Sequence, residues 1–192
     1  MAIKLKGKLG EHSQFGPLIS RFRMTDKVLA ILNADCIKST TDHSDKLVGT
    51  IEKQLLASTA CIDDITDFFM GCIQEHAAVA SSAKQVKLGD VWYNRMLEPW
   101  EFNPIHFHTN CVYSSVGYLK TPDDGTKCDI SFFMDGAGDT PAGPVTYSPV
   151  VGDFYTFPWY LQHYVSPMGP FKGERRSVAI NFVDAAKGGR TI

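Results

Sequence analysis

The sequence predicts a mainly β domain, either a barrel or a double-sheet jelly roll, that is buttressed on its outside by N-terminal helices. After residue 85 the chain reads as short strands separated by turn residues, which is typical of barrels and jelly rolls. Before residue 85, apolar residues recur at helical spacing. We therefore expect a single domain over residues 1–192, with residues 1–85 mostly helical and residues 86–192 forming the β core.

Three helices are predicted before residue 85, and their apolar stripes are expected to cover one face of a sheet. The first begins at the capping residues Thr25 and Asp26. The predicted helical segments are TDKVLAILNADCI, DHSDKLVGTIEKQLLAS and TACIDDITDFFMGCIQEH. A short strand is expected in AIKLKGKLG near the N-terminus, where lysines alternate with apolar residues.

The later part of the chain is predicted to alternate between strands and turns. The segment VKLGDVWYNRML is either one strand or a hairpin about Gly89-Asp90. The other predicted strands lie in CVYSSVGYLK, CDISFFMD, PVVGDFYTFPWYLQHYV and RRSVAINFVDA. The Gly/Pro-rich segment GAGDTPAGP is expected to be a loop that borders a substrate entrance.

Composition excludes several classes of protein. The formal net charge of the 192 residues is -2, so no general positive field favours nucleic acid or an anionic membrane. No apolar run approaches the roughly 18 residues of a membrane span, and no apolar segment follows the N-terminal charges as in a secretory signal. The five cysteines show no CxxC spacing, which favours free thiols in a reducing compartment. We therefore expect a cytoplasmic protein without nucleic-acid or membrane partners.

Three of the six histidines are candidate metal ligands. His106 and His108 stand one residue apart in NPIHFHTNC, and positions i and i+2 of a strand share a face at a separation of roughly 7 Å. Two such imidazoles can converge on one metal at about 2.0–2.2 Å. His163 follows the predicted strand in DFYTFP, so it could reach the same mouth of a barrel. Ordinary half-buried or surface histidines remain the alternative.

The last predicted strand carries a candidate anion-binding arginine. In ERRSVAINF, strand alternation places Arg175 and Ser177 on one face with Ala179 and Asn181. The opposite face is mostly apolar and is expected to pack under the helices. An inward arginine needs an anion, because an unpaired buried charge is costly, and two parallel hydrogen bonds to a carboxylate suit its geometry. An internal salt bridge or a solvated strand start is the alternative.

The ordered combination of these motifs resembles the double-stranded β-helix oxygenases that use Fe(II) and 2-oxoglutarate. It is most similar to a small, prolyl-hydroxylase-like subfamily from bacteria and phages. The resemblance extends from Trp92 to Phe182 and covers about half of the chain. It rests on VWYNRM, NPIHFHTNCVYSSVGYLKTP, PVVGDFYTFPWYLQHYVSP and RRSVAINF. The helical N-terminal part carries no signature of that family.

The resemblance implies an Fe(II)- and 2-oxoglutarate-dependent dioxygenase, a hydroxylase that consumes O2 and releases succinate and CO2. It implies that the iron ligands are His106, His108 and His163. It implies that the 2-oxoglutarate-binding residues are Arg175, Ser177, Tyr118 and Asn94. The prime substrate would be a peptide residue or a small metabolite, and the oligomeric state stays open, with a homodimer as one option.

One position departs from the usual pattern, and two other functions stay open. The usual facial triad has two histidines and a carboxylate, whereas this chain has His108 where the carboxylate is expected. A cupin-type metal-dependent dioxygenase or isomerase also uses a His-x-His pair, but Trp100 stands where cupins usually have glycine. A non-catalytic jelly-roll binding module is the third alternative, and metal content distinguishes it from both enzymes.

Overall fold

The computed structural model describes residues 17–134 and 143–186. The predicted strand in residues 2–10 and most of the predicted loop in residues 136–144 lie outside these ranges. The helices are α1 (Asp26–Lys38) and α2 (Thr59–Val79), and a short 3₁₀ helix spans Ser44–Lys46. The strands are β1 (Ser20–Arg23), β2 (Lys53–Leu56), β3 (Val86–Met96), β4 (Asn103–His106), β5 (Tyr113–Lys120), β6 (Ile130–Met134), β7 (Gly143–Tyr147), β8 (Asp153–Pro158), β9 (His163–Val165) and β10 (Arg175–Asp184).

The strands form two antiparallel sheets. The larger sheet has the order β1-β8-β5-β10-β3-β2, and the smaller sheet has the order β4-β9-β6-β7. Neighbouring strands in this list pair antiparallel throughout. The prediction of a mainly β, double-sheet architecture is therefore confirmed.

The larger sheet separates two apolar cores. On its outer face, α1 and α2 pack in a cluster that includes Leu32, Ile65, Phe69, Phe154 and Ile180. On its inner face, side chains from both sheets meet in a second cluster that includes Met96, Tyr118, Phe132, Tyr155 and Phe157. The helices therefore buttress the outside of the larger sheet. The polar side chains that point inward lie between the two sheets, beside the second apolar cluster.

Two of the three predicted helices are confirmed. Helix α1 follows Thr25, whose side chain accepts a hydrogen bond from the Val28 N–H at 3.3 Å. Helix α2 follows Ser58, whose hydroxyl accepts from the Cys61 N–H at 3.2 Å. Both contacts satisfy N–H groups that have no partner inside the helix. Among the described residues, no helix is long and apolar enough to cross a membrane.

The second predicted helix, in DHSDKLVGTIEKQLLAS, is wrong. This segment contains the 3₁₀ helix and strand β2, which pairs antiparallel with β3. The spacing of Ile51 and Leu55 is helical, but Ile51 packs between the sheets and Leu55 packs against the helix-side core. Together with β1, this strand belongs to the larger sheet, so residues 17–85 are less helical than predicted.

Strand β3 is continuous, and its glycine lies at a β-bulge. Ile180 pairs with Val91 and Phe182 pairs with Leu88, so two residues of β3, Gly89 and Asp90, lie opposite one residue of β10. The hairpin alternative is therefore wrong. A bulge bends its strand and changes the direction of nearby side chains, and here the residue opposite the bulge is Asn181.

We predict that Gly89→Ala destabilises the protein by about 1–3 kcal/mol, the usual range for an overpacked site. A Cβ at Gly89 would lie 2.8 Å from Val183 Cγ1 and 3.0 Å from the Asn181 carbonyl oxygen, so the backbone must shift. The control is Gly143→Ala, because a Cβ at Gly143 meets no atom of the described residues within 4 Å. Urea unfolding measures both free energies, and equal losses in the two variants would contradict this account of the bulge.

Candidate metal and 2-oxoglutarate site

The pairing of the smaller sheet brings the three candidate histidines together. His106 ends β4 and His163 begins β9, and the two residues are direct partners across the strands. His108 lies two residues beyond β4, where its N–H donates to the Trp159 carbonyl at 3.0 Å. One ring nitrogen from each imidazole lies within 4.8 Å of the others. A strand pairing and one loop hydrogen bond thus build a cluster from residues that are 57 positions apart at most.

Backbone carbonyls orient two of the imidazoles. His106 Nδ1 donates to the Pro104 carbonyl at 2.7 Å, and His163 Nδ1 donates to the Leu161 carbonyl at 3.0 Å. A proton on Nδ1 leaves the Nε2 lone pair of each ring free for a metal. The Nε2 atoms of His108 and His163 are 3.3 Å apart. Two nitrogens at about 2.1 Å from one metal and at right angles to each other would be about 3 Å apart.

The surroundings of the imidazoles keep them neutral. Phe157 lies 4.8 Å from the His163 ring and Trp92 lies 5.8 Å from the His108 ring, measured between ring centroids. Burial, together with the neighbouring imidazoles, lowers the pKa of His108 to about 3 and holds the pKa of His163 well below its usual value. Burial also lowers the pKa of His106. Because a metal binds neutral imidazole, the cluster is in the form that a metal requires.

Arg175 is a buried cation that has no anionic partner among the described residues. Its side chain is 1% exposed and lies on the inner face of β10. Its guanidinium contacts Ser177 Oγ at 3.4 Å, Met96 Sδ at 3.5 Å and the Tyr118 hydroxyl at 3.3 Å. Within residues 17–134 and 143–186 its Nε has no hydrogen-bond partner and no carboxylate pairs with it. A buried charge without a counter-ion is costly, so an anionic ligand would stabilise this guanidinium.

Arg176 lies on the other face of β10 and is fully paired. Its Nε and Nη2 donate to the two oxygens of Glu174 at 3.0 and 2.7 Å, and its Nη1 donates to Asn33 Oδ1 of α1 at 2.7 Å. Arg95 binds the same carboxylate at 2.6 Å. The guanidinium of Arg176 therefore fastens α1 to the larger sheet, and the predicted alternation of β10 is observed.

The other predicted cosubstrate residues lie in one row across the inner face. Ser177 is the direct partner of Tyr118 on β5 and of Asn94 on β3. Asn94 is buried, and its Oδ1 accepts from Gln54 Nε2 of β2 at 2.9 Å. The structure therefore brings Arg175, Ser177 and Tyr118 into contact, and it places Asn94 beside them in an amide pair.

Three residues of this region received no role from the sequence. Gln54 was missed because its segment was predicted to be helical, although it lies on β2 beside Asn94. Met96, which contacts Arg175, could have been found from its even spacing with Trp92 along β3. Asn181 was placed on the correct face of β10 by alternation, but nothing in the sequence showed that its Oδ1 accepts a hydrogen bond from the Ser114 hydroxyl at 3.1 Å.

One protein-family model matches most of the β core. Residues 90–181 match the family model described as "Putative 2OG-Fe(II) oxygenase", where 2OG is 2-oxoglutarate. The match includes the three histidines, Arg175 and the residues around them. No curated protein matches the sequence.

Solved structures share the fold at low sequence identity. A prolyl-4-hydroxylase from Pseudomonas putida is 15% identical with a TM-score of 0.60, and the alignment covers 86% of this chain and 92% of that one. The viral collagen prolyl hydroxylase of Paramecium Bursaria Chlorella virus-1, in its 2-oxoglutarate complex, is 15% identical with a TM-score of 0.60, covering 85% and 94%. The non-haem α-ketoglutarate-dependent epimerase SnoN from nogalamycin biosynthesis is 14% identical with a TM-score of 0.60, covering 87% and 78%.

The comparisons and the geometry of the site indicate the same fold and the same class of protein. The structural relatives are 2-oxoglutarate oxygenases, which have the double-stranded β-helix fold, and the two sheets described above form that fold here. The cupin and non-catalytic alternatives are not favoured, because the family match and the structural matches point to the same class of enzyme. Residues 90–181 of this chain, which include most of the β core, match the family model of the 2OG-Fe(II) oxygenases.

Proposed function

We propose that this enzyme hydroxylates a C–H bond of a peptide residue or a small metabolite and releases succinate and CO2. Fe(II), 2-oxoglutarate and O2 are the cofactor and cosubstrates of the family. The observation that carries the proposal is the presence, in one β core, of a neutral three-imidazole cluster and of a buried Arg175 guanidinium that pairs with no carboxylate among the described residues. The first suits a divalent metal, and the second suits a carboxylate.

In this proposal His106, His108 and His163 hold the iron. Imidazole nitrogen suits Fe(II), and two of the rings are already oriented by carbonyls. With His108 in place of the usual carboxylate, the site carries one unit more positive charge than a two-histidine, one-carboxylate triad. That charge difference is expected to weaken Fe(II) binding and to strengthen the attraction for anionic 2-oxoglutarate.

Arg175 is proposed to bind the distal carboxylate of 2-oxoglutarate through two charge-assisted hydrogen bonds. Its present contacts, at 3.3–3.5 Å, are long and neutral, so a carboxylate would replace weak partners with strong ones. The hydroxyls of Ser177 and Tyr118 would donate to the same carboxylate. The next inner residue of β10 is Ala179, whose methyl group occupies little of the face between Ser177 and Asn181. Asn94 is proposed to contact the cosubstrate from the neighbouring strand.

The protein's own part in the reaction is to bind, orient and exclude water. When bound, Fe(II) and 2-oxoglutarate supply the oxidative chemistry that uses O2 to hydroxylate a C–H bond. The imidazoles present neutral nitrogens on one side, and Arg175 fixes the cosubstrate on the other. Phe132 and Phe157, which are fully buried beside His163, keep that side of the cluster dry.

The proposed substrate side is an aromatic rim of Phe107, Trp159 and Tyr160. These side chains are 48%, 38% and 54% exposed, and the ring centroids of Phe107 and Trp159 are 6.1 Å apart. Phe107 stands between His106 and His108 in the chain, and the Trp159 carbonyl accepts a hydrogen bond from the His108 N–H. Exposed aromatic faces favour a ring or an apolar segment of a substrate. The prolyl hydroxylases among the structural relatives support a peptide residue, whereas the epimerase SnoN supports a small metabolite.

We also propose that residues 1–192 act as one domain in the cytoplasm. Strands β1 and β2 come from the N-terminal part and complete the larger sheet, which supports a single folding unit. All five cysteines are free thiols, and four of them are buried, which supports a reducing compartment.

The proposed function is tested by loading the protein with Fe(II) and 2-oxoglutarate without oxygen, then admitting O2 with a panel of peptides and metabolites. We predict that the protein forms succinate, and that one class of compound in the panel increases the rate of succinate formation. The control is His163→Ala, which should bind no Fe(II) tightly while keeping its fold. Binding of less than about a tenth of an equivalent of Fe(II) by the wild-type protein would overturn the proposal, since a resident cofactor must approach one equivalent.

Arg175→Met should weaken 2-oxoglutarate binding by about a hundredfold, or about 3 kcal/mol, because a bidentate charge-assisted pair is lost. The matched variant is Arg176→Met on the adjacent, outward-facing position, which should lower stability and change 2-oxoglutarate affinity little. Isothermal titration of the Mn(II)-loaded proteins measures both affinities. An equal or larger loss of affinity in Arg176→Met would refute the assignment to Arg175.

The lowered imidazole pKa values predict a pH effect on the metal-free protein. Unfolding exposes the three imidazoles, whose pKa values return to about 6.5, so the unfolded chain binds more protons than the folded chain below that pH. The free energy of unfolding should therefore fall below about pH 6.5, by up to about 1.4 kcal/mol per pH unit for each imidazole, and the imidazoles should contribute no slope above it. Urea titrations with a chelator, from pH 7.5 to 5, should show a shallower slope for His163→Gln than for the wild-type protein. Identical slopes would contradict the prediction.

A further inference from the structure

We propose that the side-chain oxygen of Gln54, Oε1, accepts a hydrogen bond from the prime substrate, so that the enzyme selects compounds that carry an N–H or O–H group. The inference rests on the proposed function and deepens it, because it names a substrate-binding residue and the chemistry that this residue recognises. Gln54 lies on β2, outside residues 90–181 that match the family model.

Gln54 lies on the inner face of the larger sheet. It is the direct partner of Asn94 on β3, and Asn94 is the direct partner of Ser177 on β10. Because direct partners on antiparallel strands lie on the same face, Gln54 extends the row of Asn94 and Ser177 to the edge strand β2. The residue is only 2% exposed, so its amide belongs to the space between the sheets.

One polar atom of the Gln54 amide is buried without a partner. Gln54 Nε2 donates to Asn94 Oδ1 at 2.9 Å, and this bond fixes the amide. Within residues 17–134 and 143–186, Gln54 Oε1 has no hydrogen-bond partner. An unpaired buried acceptor costs free energy that the donor of a ligand recovers. The amide is therefore held by one end and free to bind a ligand at the other.

The chemistry of the missing partner excludes 2-oxoglutarate. Its carboxylate and ketone oxygens are hydrogen-bond acceptors at neutral pH, so they suit the guanidinium of Arg175 and cannot donate to Gln54 Oε1. Molecular oxygen has no N–H or O–H to donate either. The prime substrate is the remaining compound that the proposed reaction requires, and we therefore assign the donor to it.

Gln54 lies beside the strand that carries the first histidine of the cluster. The edge strands β2 and β4 approach each other through Gly49, where a Cβ would lie 3.2 Å from Gln54 Nε2 and would collide with Asn103 Oδ1. Asn103 begins β4, and His106 ends it. A substrate held at His106 is therefore close to the edge of the larger sheet where Gln54 lies.

A second path along the larger sheet connects Gln54 with the cluster. The inner residue of β3 next to Asn94 is Trp92, and its ring centroid is 5.8 Å from that of His108. Inner positions of a strand are separated by roughly 7 Å. Gln54 is thus one strand and one inner position away from the side chain that contacts His108, a distance that a short peptide or a small metabolite can span.

The test uses pairs of probes that differ in their donors, with the protein loaded with Fe(II) and 2-oxoglutarate. The peptide pair is acetyl-alanyl-prolyl-glycine methyl ester and its analogue with ester oxygens in place of the backbone N–H groups. The metabolite pair is free L-leucine and 4-methylpentanoate, which lacks the ammonium group. Succinate formation gives kcat and KM for each probe. We expect a KM about 10-fold or more lower for the donor-bearing member of the pair that the wild-type enzyme accepts.

Two variants of Gln54 separate hydrogen bonding from shape. Gln54→Leu removes the acceptor and should reduce the KM ratio within the pair to about twofold or less, whereas Gln54→Glu keeps an acceptor oxygen and should retain a ratio of roughly fivefold or more. The matched control is Asn33→Leu, which removes another hydrogen-bonded amide, the one that accepts from Arg176 on the outer face of β10. It should lower stability and keep the wild-type ratio.

A KM ratio that Gln54→Leu leaves unchanged would overturn the inference, because shape or charge alone would then select the substrate. Loss of the ratio in Gln54→Glu as well would overturn it too, since the free end of the amide would then be its N–H group. A wild-type protein that forms succinate but prefers neither member of either pair would overturn the inference and leave the proposed function standing. A wild-type protein that forms no succinate would overturn the proposed function itself.

Discussion

The buried guanidinium of Arg175 is the constraint on which the rest of the site depends. Its side chain is 1% exposed and its contacts within the described residues are neutral. A buried charge of this kind is costly unless an anion pairs with it. Arg175 carries this cost, whereas the guanidinium of the adjacent Arg176 is hydrogen-bonded to Glu174 and Asn33. Strand alternation alone separates the two arginines, so one stabilises the fold while the other is left for a ligand.

The larger sheet links Arg175 to the side of the core where the histidine cluster lies. Strand β10 runs from Arg175, through Ser177 and Ala179, to Asn181 on one face, while its opposite face packs against the helices. The smaller sheet supplies the histidines through the pairing of β4 with β9. The larger sheet therefore holds the proposed carboxylate-binding end. The smaller sheet holds His106 and His163 of the proposed metal-binding end, and the loop after β4 holds His108.

Much of this arrangement could be predicted from the sequence, because the periodicities are local. The alternation in RRSVAINF placed Arg175 inward, and the spacing of His106 and His108 indicated a shared face. The helix predicted around Ile51 and Leu55 is wrong. Two apolar residues four positions apart need not share a helix face, because here Ile51 packs in the core between the sheets and Leu55 packs against the helix-side core. The amide pair of Gln54 with Asn94 was not predictable either, since it depends on the pairing of two strands whose contacting residues are 40 positions apart.

The central claim is that one core holds a metal on three imidazoles and 2-oxoglutarate on Arg175. A crystal structure of the protein grown without oxygen in the presence of Mn(II) and 2-oxoglutarate tests it most directly. The account predicts a single anomalous-scattering peak bonded to His106, His108 and His163, with the distal carboxylate of 2-oxoglutarate paired to Arg175. A metal bound elsewhere, or a carboxylate paired with a different cation while Arg175 keeps its neutral contacts, would contradict it.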